Sequence, residues 1–179
     1  MTDKDLNAII RRVPNYPKKG IVFYDITSLL ANAEAFSYVI DRMIEIYKDK
    51  GIEAIAGADA RGFLFAAPLA YKMKLPFIPI RKAGKLPGVT LKASYTLEYG
   101  KGEVEVHADD VPKGKNILMV DDLLATGGTL RTSVELLERG GAVVKEVFAL
   151  IGLTFLPYKE RLKGYNVTTL IDFDNEKIK

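Results

Sequence analysis

Two adjacent acids, Asp121 and Asp122, lie between an apolar run, Ile117 to Val120, and a stretch of small and hydroxyl residues, Ala125-Thr126-Gly127-Gly128-Thr129. Carboxylates accept hydrogen bonds from a diol. Backbone N–H groups that no bulky side chain shields can close around an anion at the start of a helix, where the helix dipole supplies about half a positive charge. A short continuous apolar run suits a central parallel strand buried on both faces, and open α/β sheets bind ligands beyond the carboxyl ends of such strands. Anion donors next to diol acceptors describe a pocket for a ribose 5-phosphate, with the acids beside the phosphate rather than inside its pocket, where they would repel it. Taken alone, the same residues could be a strand end and a helix cap, for which Thr126 or Asp122 would suffice.

Three further groups of residues could join that chemistry. Asp59-Ala60-Arg61-Gly62 follows a second apolar run, Ala54 to Ala58. Parallel strands present their carboxyl ends along one edge, so Arg61 can converge on the acid pair and meet a second phosphate group. Arg81, Lys82 and Lys85 share a loop with the hinge-like Gly84, Pro87 and Gly88; such a loop is either solvated surface or a flap that closes over pyrophosphate and excludes water. Glu98 stands near Tyr95, Leu97 and Tyr99, where a plain surface carboxylate is the simpler alternative. Phe23, Tyr24 and Leu153 have no chemical signature of their own, and His107, the single histidine, is given no role.

The elements that must position these residues follow from periodicity. Leu6, Ile9, Ile10 and Val13 predict an amphipathic helix over 5–13, stopped by Pro14. An extended segment at 21–24 comes next, then a helix capped by Asn32, with apolar positions from Ala35 to Tyr47 and a stop at Gly51. Strands are expected at 54–58, 75–80, 117–120, 143–150 and 165–171, with helices at 63–73 and after Thr129, where Leu130, Val134 and Leu137 share a face before Gly140-Gly141. Alternating Tyr95, Leu97, Tyr99, Val104 and Val106 predict a mobile hairpin within 81–106. Strands alternating with helices imply an α/β fold, a mainly parallel sheet flanked by helices on both faces.

The 179 residues make one domain, with an N-terminal arm over 1–34. A net charge of +3 without a run of like charges gives no reason to expect nucleic-acid binding. The absence of cysteine excludes disulfides, a thiol nucleophile and thiolate zinc sites. The apolar stretch from Val147 to Leu156 is too short to span a bilayer. A cytoplasmic protein with no membrane partner is expected.

Five blocks carry a resemblance: Gly-Ile-Val-Phe-Tyr-Asp-Ile from residue 20, Gly-Ala-Asp-Ala-Arg-Gly-Phe-Leu-Phe from 57, Arg-Lys-Ala-Gly-Lys-Leu-Pro-Gly from 81, Leu-Glu-Tyr-Gly from 97 and Val-Asp-Asp-Leu-Leu-Ala-Thr-Gly-Gly-Thr from 120. In order and spacing the chain resembles the adenine phosphoribosyltransferase family over nearly its whole length. The resemblance implies the type I phosphoribosyltransferase fold with a small hood and a flexible loop, and a homodimer in which Arg81 reaches the neighbouring subunit's site. It implies transfer of a phosphoribosyl group from phosphoribosyl pyrophosphate (PRPP) to adenine, giving AMP and pyrophosphate. By that likeness Asp121 and Asp122 hold the ribose hydroxyls, Ala125, Thr126, Gly127, Gly128 and Thr129 hold the 5′-phosphate, and Arg61, Lys82 and Lys85 contact pyrophosphate. Magnesium would come with pyrophosphate and water, without a dedicated protein metal site. Backbone groups of Val22 and Tyr24 would read the adenine edge, Phe23 and Leu153 would pack on its faces, and Glu98 would be the acid/base group. Two positions depart from the pattern: Tyr24 stands where many relatives carry arginine or lysine, and Ala60 where some carry serine. Ala125 argues against 6-oxopurines such as hypoxanthine, whose enzymes usually have aspartate there, and leaves xanthine open. A non-catalytic regulator built on the same fold is the rival of another class.

Overall fold

The protein is described by a computed structural model covering residues 1–97 and 100–175. It begins with α1 (Asp3–Ile9), the two-stranded antiparallel ribbon of β1 (Arg11–Pro14) and β2 (Val22–Asp25), the short α2 (Thr27–Leu30) and α3 (Ala33–Tyr47). Then come β3 (Ala54–Ala58), α4 (Phe63–Met73), β4 (Phe77–Lys82), the hairpin of β5 (Thr90–Leu97) and β6 (Gly100–His107), and β7 (Asn116–Leu124). The chain closes with α5 (Gly128–Arg139), β8 (Val143–Leu153), α6 (Tyr158–Arg161) and β9 (Asn166–Phe173).

One sheet of seven strands, ordered β5-β6-β4-β3-β7-β8-β9, organises the molecule. The strands from β4 to β9 in that order pair in parallel, and the antiparallel hairpin joins through two β4 residues, Arg81 opposite Glu105 and Lys82 opposite Val104. Successive strand residues face opposite sides, and β7 obeys this. Leu118 and Val120 pack into a cluster with Leu6, Leu29, Val39, Met43 and Phe65 from α1 to α4, whereas Ile117 and Met119 pack with Leu130, Val134 and Leu137 of α5 and with Val104 and Val106 of the hairpin. Two apolar layers therefore sandwich the sheet, as the alternation of strands and helices implies. No helix among the described residues is long and apolar enough to cross a membrane.

Several boundaries differ from the sequence reading. The expected helix over 5–13 ends at Ile9, because Arg11 to Pro14 pair with Val22 to Asp25 and Arg11 adds an ion pair to Asp25 at 3.1 Å. A local helical pattern yields there to a partner the periodicity does not see. β4 starts two residues later than expected and runs through Lys82. β7 continues past Val120 to Leu124, since its ladder with β8 carries on through Asp121 opposite Ala149 and Leu123 opposite Ile151. The acid pair thus lies within the strand. β8 and β9 likewise extend to Leu153 and Phe173, and the short helices α2 and α6 have no sequence counterpart.

The helix cap at Asn32 stands as expected, its side chain accepting the Ala35 N–H at 3.0 Å.

Candidate active site

The turn after β7 has the geometry of an anion cradle. Gly127 has φ +77°, a left-handed conformation that glycine adopts freely, and a Cβ there would also meet the Tyr158 Cα at 3.1 Å. Gly128 opens α5 directly afterwards. A cavity of about 100 Å³ is lined by Asp121, Leu123, Leu124, Ala125, Thr126, Gly127, Gly128, Thr129 and Leu130. A single water needs about 10–15 Å³ of such space, so the cradle has room for a phosphate group.

Strand alternation separates the two acids. Asp121 lies on the α5 side and lines the cradle itself, closer to the anion position than the sequence reading placed it. Asp122 lies on the other side, 3% exposed, and makes an ion pair with Arg61 at 3.0 Å. The Asp122 amide donates to Asp121 Oδ1 at 2.8 Å. Burial, and next the neighbouring Asp122 charge, push the Asp121 carboxyl well above its usual range. Burial also raises Asp122, while the Arg61 guanidinium opposes the shift. Burial therefore makes the pair as a whole hold a proton more readily than free carboxylates do, and the Arg61 guanidinium is the charge that opposes this.

Arg61 connects the parts of the site. It stands in the turn between β3 and α4, and β3 is the parallel neighbour of β7, so strand pairing carries it to the acid pair. Its guanidinium also lies 5.5 Å from the centre of the Phe23 ring on β2, bringing the N-terminal ribbon to the same place. One residue earlier in that turn, a cis peptide joins Asp59 to Ala60. Asp59, which no sequence signal marks as part of the site, accepts from the Arg81 side chain at 2.8 Å and from the Lys82 amide at 3.4 Å, tying the base of the basic loop to the turn. The Arg81 hydrogen bond leads the influences that hold Asp59 below its usual range, against its burial. Lys82 and Lys85 are exposed.

The ribbon residues divide. Tyr24 is 3% exposed, its ring stacked on Phe173 with centroids 4.2 Å apart, and Leu153 and Val22 pack into the same apolar cluster. The Tyr24 ring is thus committed to the core, and an arginine or lysine at this position would bring a charge into it. Phe23 is only partly buried and meets Tyr16 edge-on at 5.2 Å. Glu98 lies outside the described residues. Arg161, for which the sequence offers no signal, approaches the cradle from α6: a Cβ on Gly128 would lie 3.0 Å from its Nη1 and 3.8 Å from Thr126 Oγ1. Cβ vectors tilt toward a helix's N-terminus, so that point overlooks the anion position.

A parallel sheet with an acid pair, an anion cradle and convergent cations at its carboxyl edge defines a protein that handles a phosphorylated sugar. The family model for the phosphoribosyl transferase domain matches residues 25–167, and the chain belongs to the phosphoribosyltransferase family. Its relatives within that family include an adenine phosphoribosyltransferase of Treponema denticola, 57% identical over 99% of this chain and 94% of that protein. Another, from Chloroflexus aurantiacus, is 47% identical over 97% of this chain and all of that one. Among solved structures, adenine phosphoribosyltransferase from Thermoanaerobacter pseudethanolicus superposes with a TM-score of 0.93 at 45% identity, covering 96% of this chain and 100% of that one. The Saccharomyces cerevisiae enzyme, solved with adenine and an imino-altritol bisphosphate, superposes at 0.88 with 36% identity, over 94% of this chain and 97% of that one.

Proposed function

We propose that this chain is a purine-salvage enzyme that transfers the 5-phosphoribosyl group of PRPP to N9 of adenine, giving AMP and pyrophosphate. The observation that carries the reading is Arg61, which joins the β2 ribbon, the acid pair and the cation-rich edge in one contiguous site. The relatives named for this activity support adenine as the base.

The reaction breaks the C1′–O bond to pyrophosphate and forms C1′–N9, with positive charge developing at C1′ between the two. Placement and electrostatics dominate such a step. The amides of Ala125 to Thr129 hold the 5′-phosphate. The diol lies against β7 just past the end of β3, within reach of both Asp121 and Asp122. Arg61, Lys82 and Lys85 receive the pyrophosphate charge, and closure of the 81–106 loop and hairpin as one body keeps water from capturing the sugar. Glu98 moves the proton that the purine must shed as N9 attacks. Val22 and Tyr24 read the base through their backbones, and Phe23 and Leu153 pack on its faces.

Among the described residues no cluster of three or more ligating side chains could hold a metal. Oxygen donors suit magnesium, which keeps several waters and takes one or two carboxylates with substrate phosphates. Asp121 and Asp122 would help to hold such an ion, and once bound with the substrate it would neutralise pyrophosphate charge. We further place the protein in the cytoplasm, in keeping with a cysteine-free chain that has no use for an oxidising compartment. We take it to be a homodimer in which Arg81 serves the neighbouring site.

A product assay with PRPP, magnesium and, separately, adenine, hypoxanthine and xanthine tests the reading. AMP from adenine with little turnover of the oxopurines is expected; preferred turnover of xanthine, or PRPP binding without product, would overturn it.

A further inference from the structure

β6 places Glu105 opposite two cations, Arg81 on β4 and Lys92 on β5. Cross-strand partners share a sheet face, so an ordinary half-solvated ion pair is the simple expectation. Instead Glu105 is 1% exposed, and its carboxylate turns to the basic loop. Oε1 accepts the N–H of Lys85 and the N–H of Leu86, each at 2.8 Å, while Oε2 meets the Thr90 hydroxyl at 3.4 Å and the Lys92 ammonium at 3.6 Å. The Ala83 N–H adds a bond to the Glu103 carbonyl at 3.0 Å. The Leu86 amide, foremost among these partners, holds the Glu105 carboxyl below its usual range. None of the chemistry proposed above uses this carboxylate, although a charge is buried only where partners such as these offset its lost hydration.

What Glu105 holds is backbone. The loop side chains stay outside: Lys82 and Lys85 are exposed, and neither has a side-chain hydrogen bond or ion pair among the described residues. The cations are left available to an anion while the chain between them is already ordered. Ordering before binding lowers the entropy lost when a ligand arrives.

We infer that Glu105 is a positioning residue for the pyrophosphate end of the substrate, holding the loop backbone at Lys85 and Leu86 so that Lys82 and Lys85 meet the leaving group from a preset conformation. The inference rests on the transferase reading. It acts through the loop and needs no contact between Glu105 and substrate.

The full-length chain, with Glu105→Ala, Glu105→Asp, Glu105→Gln and Lys92→Met variants, separates this role from simple stabilisation. Steady-state kinetics and amide hydrogen exchange over 83–89 are measured well below the melting temperature. In Glu105→Ala the KM for PRPP rises about tenfold, as expected for losing charge-assisted bonds, with the adenine KM unchanged and faster exchange at Lys85 and Leu86. Glu105→Asp, too short to reach both amides, shifts in the same direction and serves if the alanine variant does not fold. Glu105→Gln keeps an acceptor for the amides and recovers most of the PRPP affinity, and Lys92→Met resembles the parent. An unchanged PRPP KM in Glu105→Asp, a parallel rise in both KM values, or a Lys92→Met variant as impaired as Glu105→Ala would overturn the inference. If the parent itself makes no AMP, the transferase reading falls, and exchange at Lys85 and Leu86 still decides whether Glu105 holds the loop.

Discussion

Gly62 lies where the fold and the site share atoms, and an alanine there should damage both. Its backbone is helical, φ −59° and ψ −30°, so alanine fits the conformation and by unfolded-chain entropy alone would add about 0.4–1 kcal/mol of stability. Sterics point the other way. A Cβ would lie 2.7 Å from the Ala58 carbonyl oxygen, 2.8 Å from the Ala58 nitrogen and 2.8 Å from the Val120 carbonyl oxygen. Carbon–oxygen contacts normally settle at about 3.3–3.6 Å, so each must yield by roughly 0.5 Å, and these are main-chain atoms of two central strands. Overpacking costs about 1–3 kcal/mol, and with no flexible side chain to give way we expect the upper end. At about 2–4 °C per kcal/mol for a chain of this size, the melting temperature falls by about 6–12 °C, leaving the protein folded at 25 °C. The displaced atoms immediately precede Asp59 and Asp121. Because a misplacement of about 1 Å can cost about 10²-fold in rate, kcat/KM at 25 °C should drop by about one to two orders of magnitude. Differential scanning calorimetry and initial rates on Gly62→Ala check both numbers, and a melting temperature equal to or above the parent's would refute the steric reasoning.

Glu98→Ala should lower kcat by about 10²–10⁴ with little change in melting temperature, and a near-normal turnover would remove Glu98 from the mechanism. Asp121→Asn should cripple turnover yet change the acid side of the stability profile. A carboxyl whose folded pKa is raised binds more protons folded than unfolded, so its contribution to stability grows as pH falls through that raised value and is lost as pH rises through it; urea titrations of the apo protein over descending pH should show a larger gain in the parent than in the variant, which keeps only the raised Asp122, and equal gains would contradict the assignment. Arg161→Gln should weaken AMP and PRPP by about fivefold, an exposed charge-assisted bond being worth less than a buried one, and leave the adenine KM unchanged; equal AMP affinity in titration calorimetry would discard a phosphate role for Arg161. Lys50→Met leaves the Glu146 carboxylate, 7% exposed, with only Asn166 at 2.8 Å among the polar partners described here, and should cost about 1–2 kcal/mol, discounted because Lys50 is itself partly exposed; an unchanged denaturation midpoint would contradict it.

Strand and helix periodicity locates β3 and α4 residue for residue, because both are short, apolar and bounded by turn residues that nothing distant competes for. The stretch 11–14 reads as helix for the opposite reason: its strand identity comes from Val22 to Asp25, a pairing no local window contains. Within the site, Arg61 and the acid pair are legible because parallel neighbours put their carboxyl ends together, and the structure adds that Asp121 and Asp122 take opposite sides. Asp59, Glu105 and Arg161 are not legible. A buried glutamate in Val104-Glu105-Val106 looks like the solvent-facing member of an alternating strand until the loop folds over it, and Arg161 sits on a helix of four residues, too short to leave a pattern.

Because its acids diverge, β7 reports on both apolar layers at once. A sugar bridging Asp121 and Asp122 would act as a rivet through the sheet, fastening the α5 layer to the layer of α1 to α4. Occupancy should then raise the melting temperature of the molecule as a whole, by about RT ln(1 + [L]/Kd) in free energy. Loosening either layer, however far from the pocket, should register as weaker nucleotide affinity.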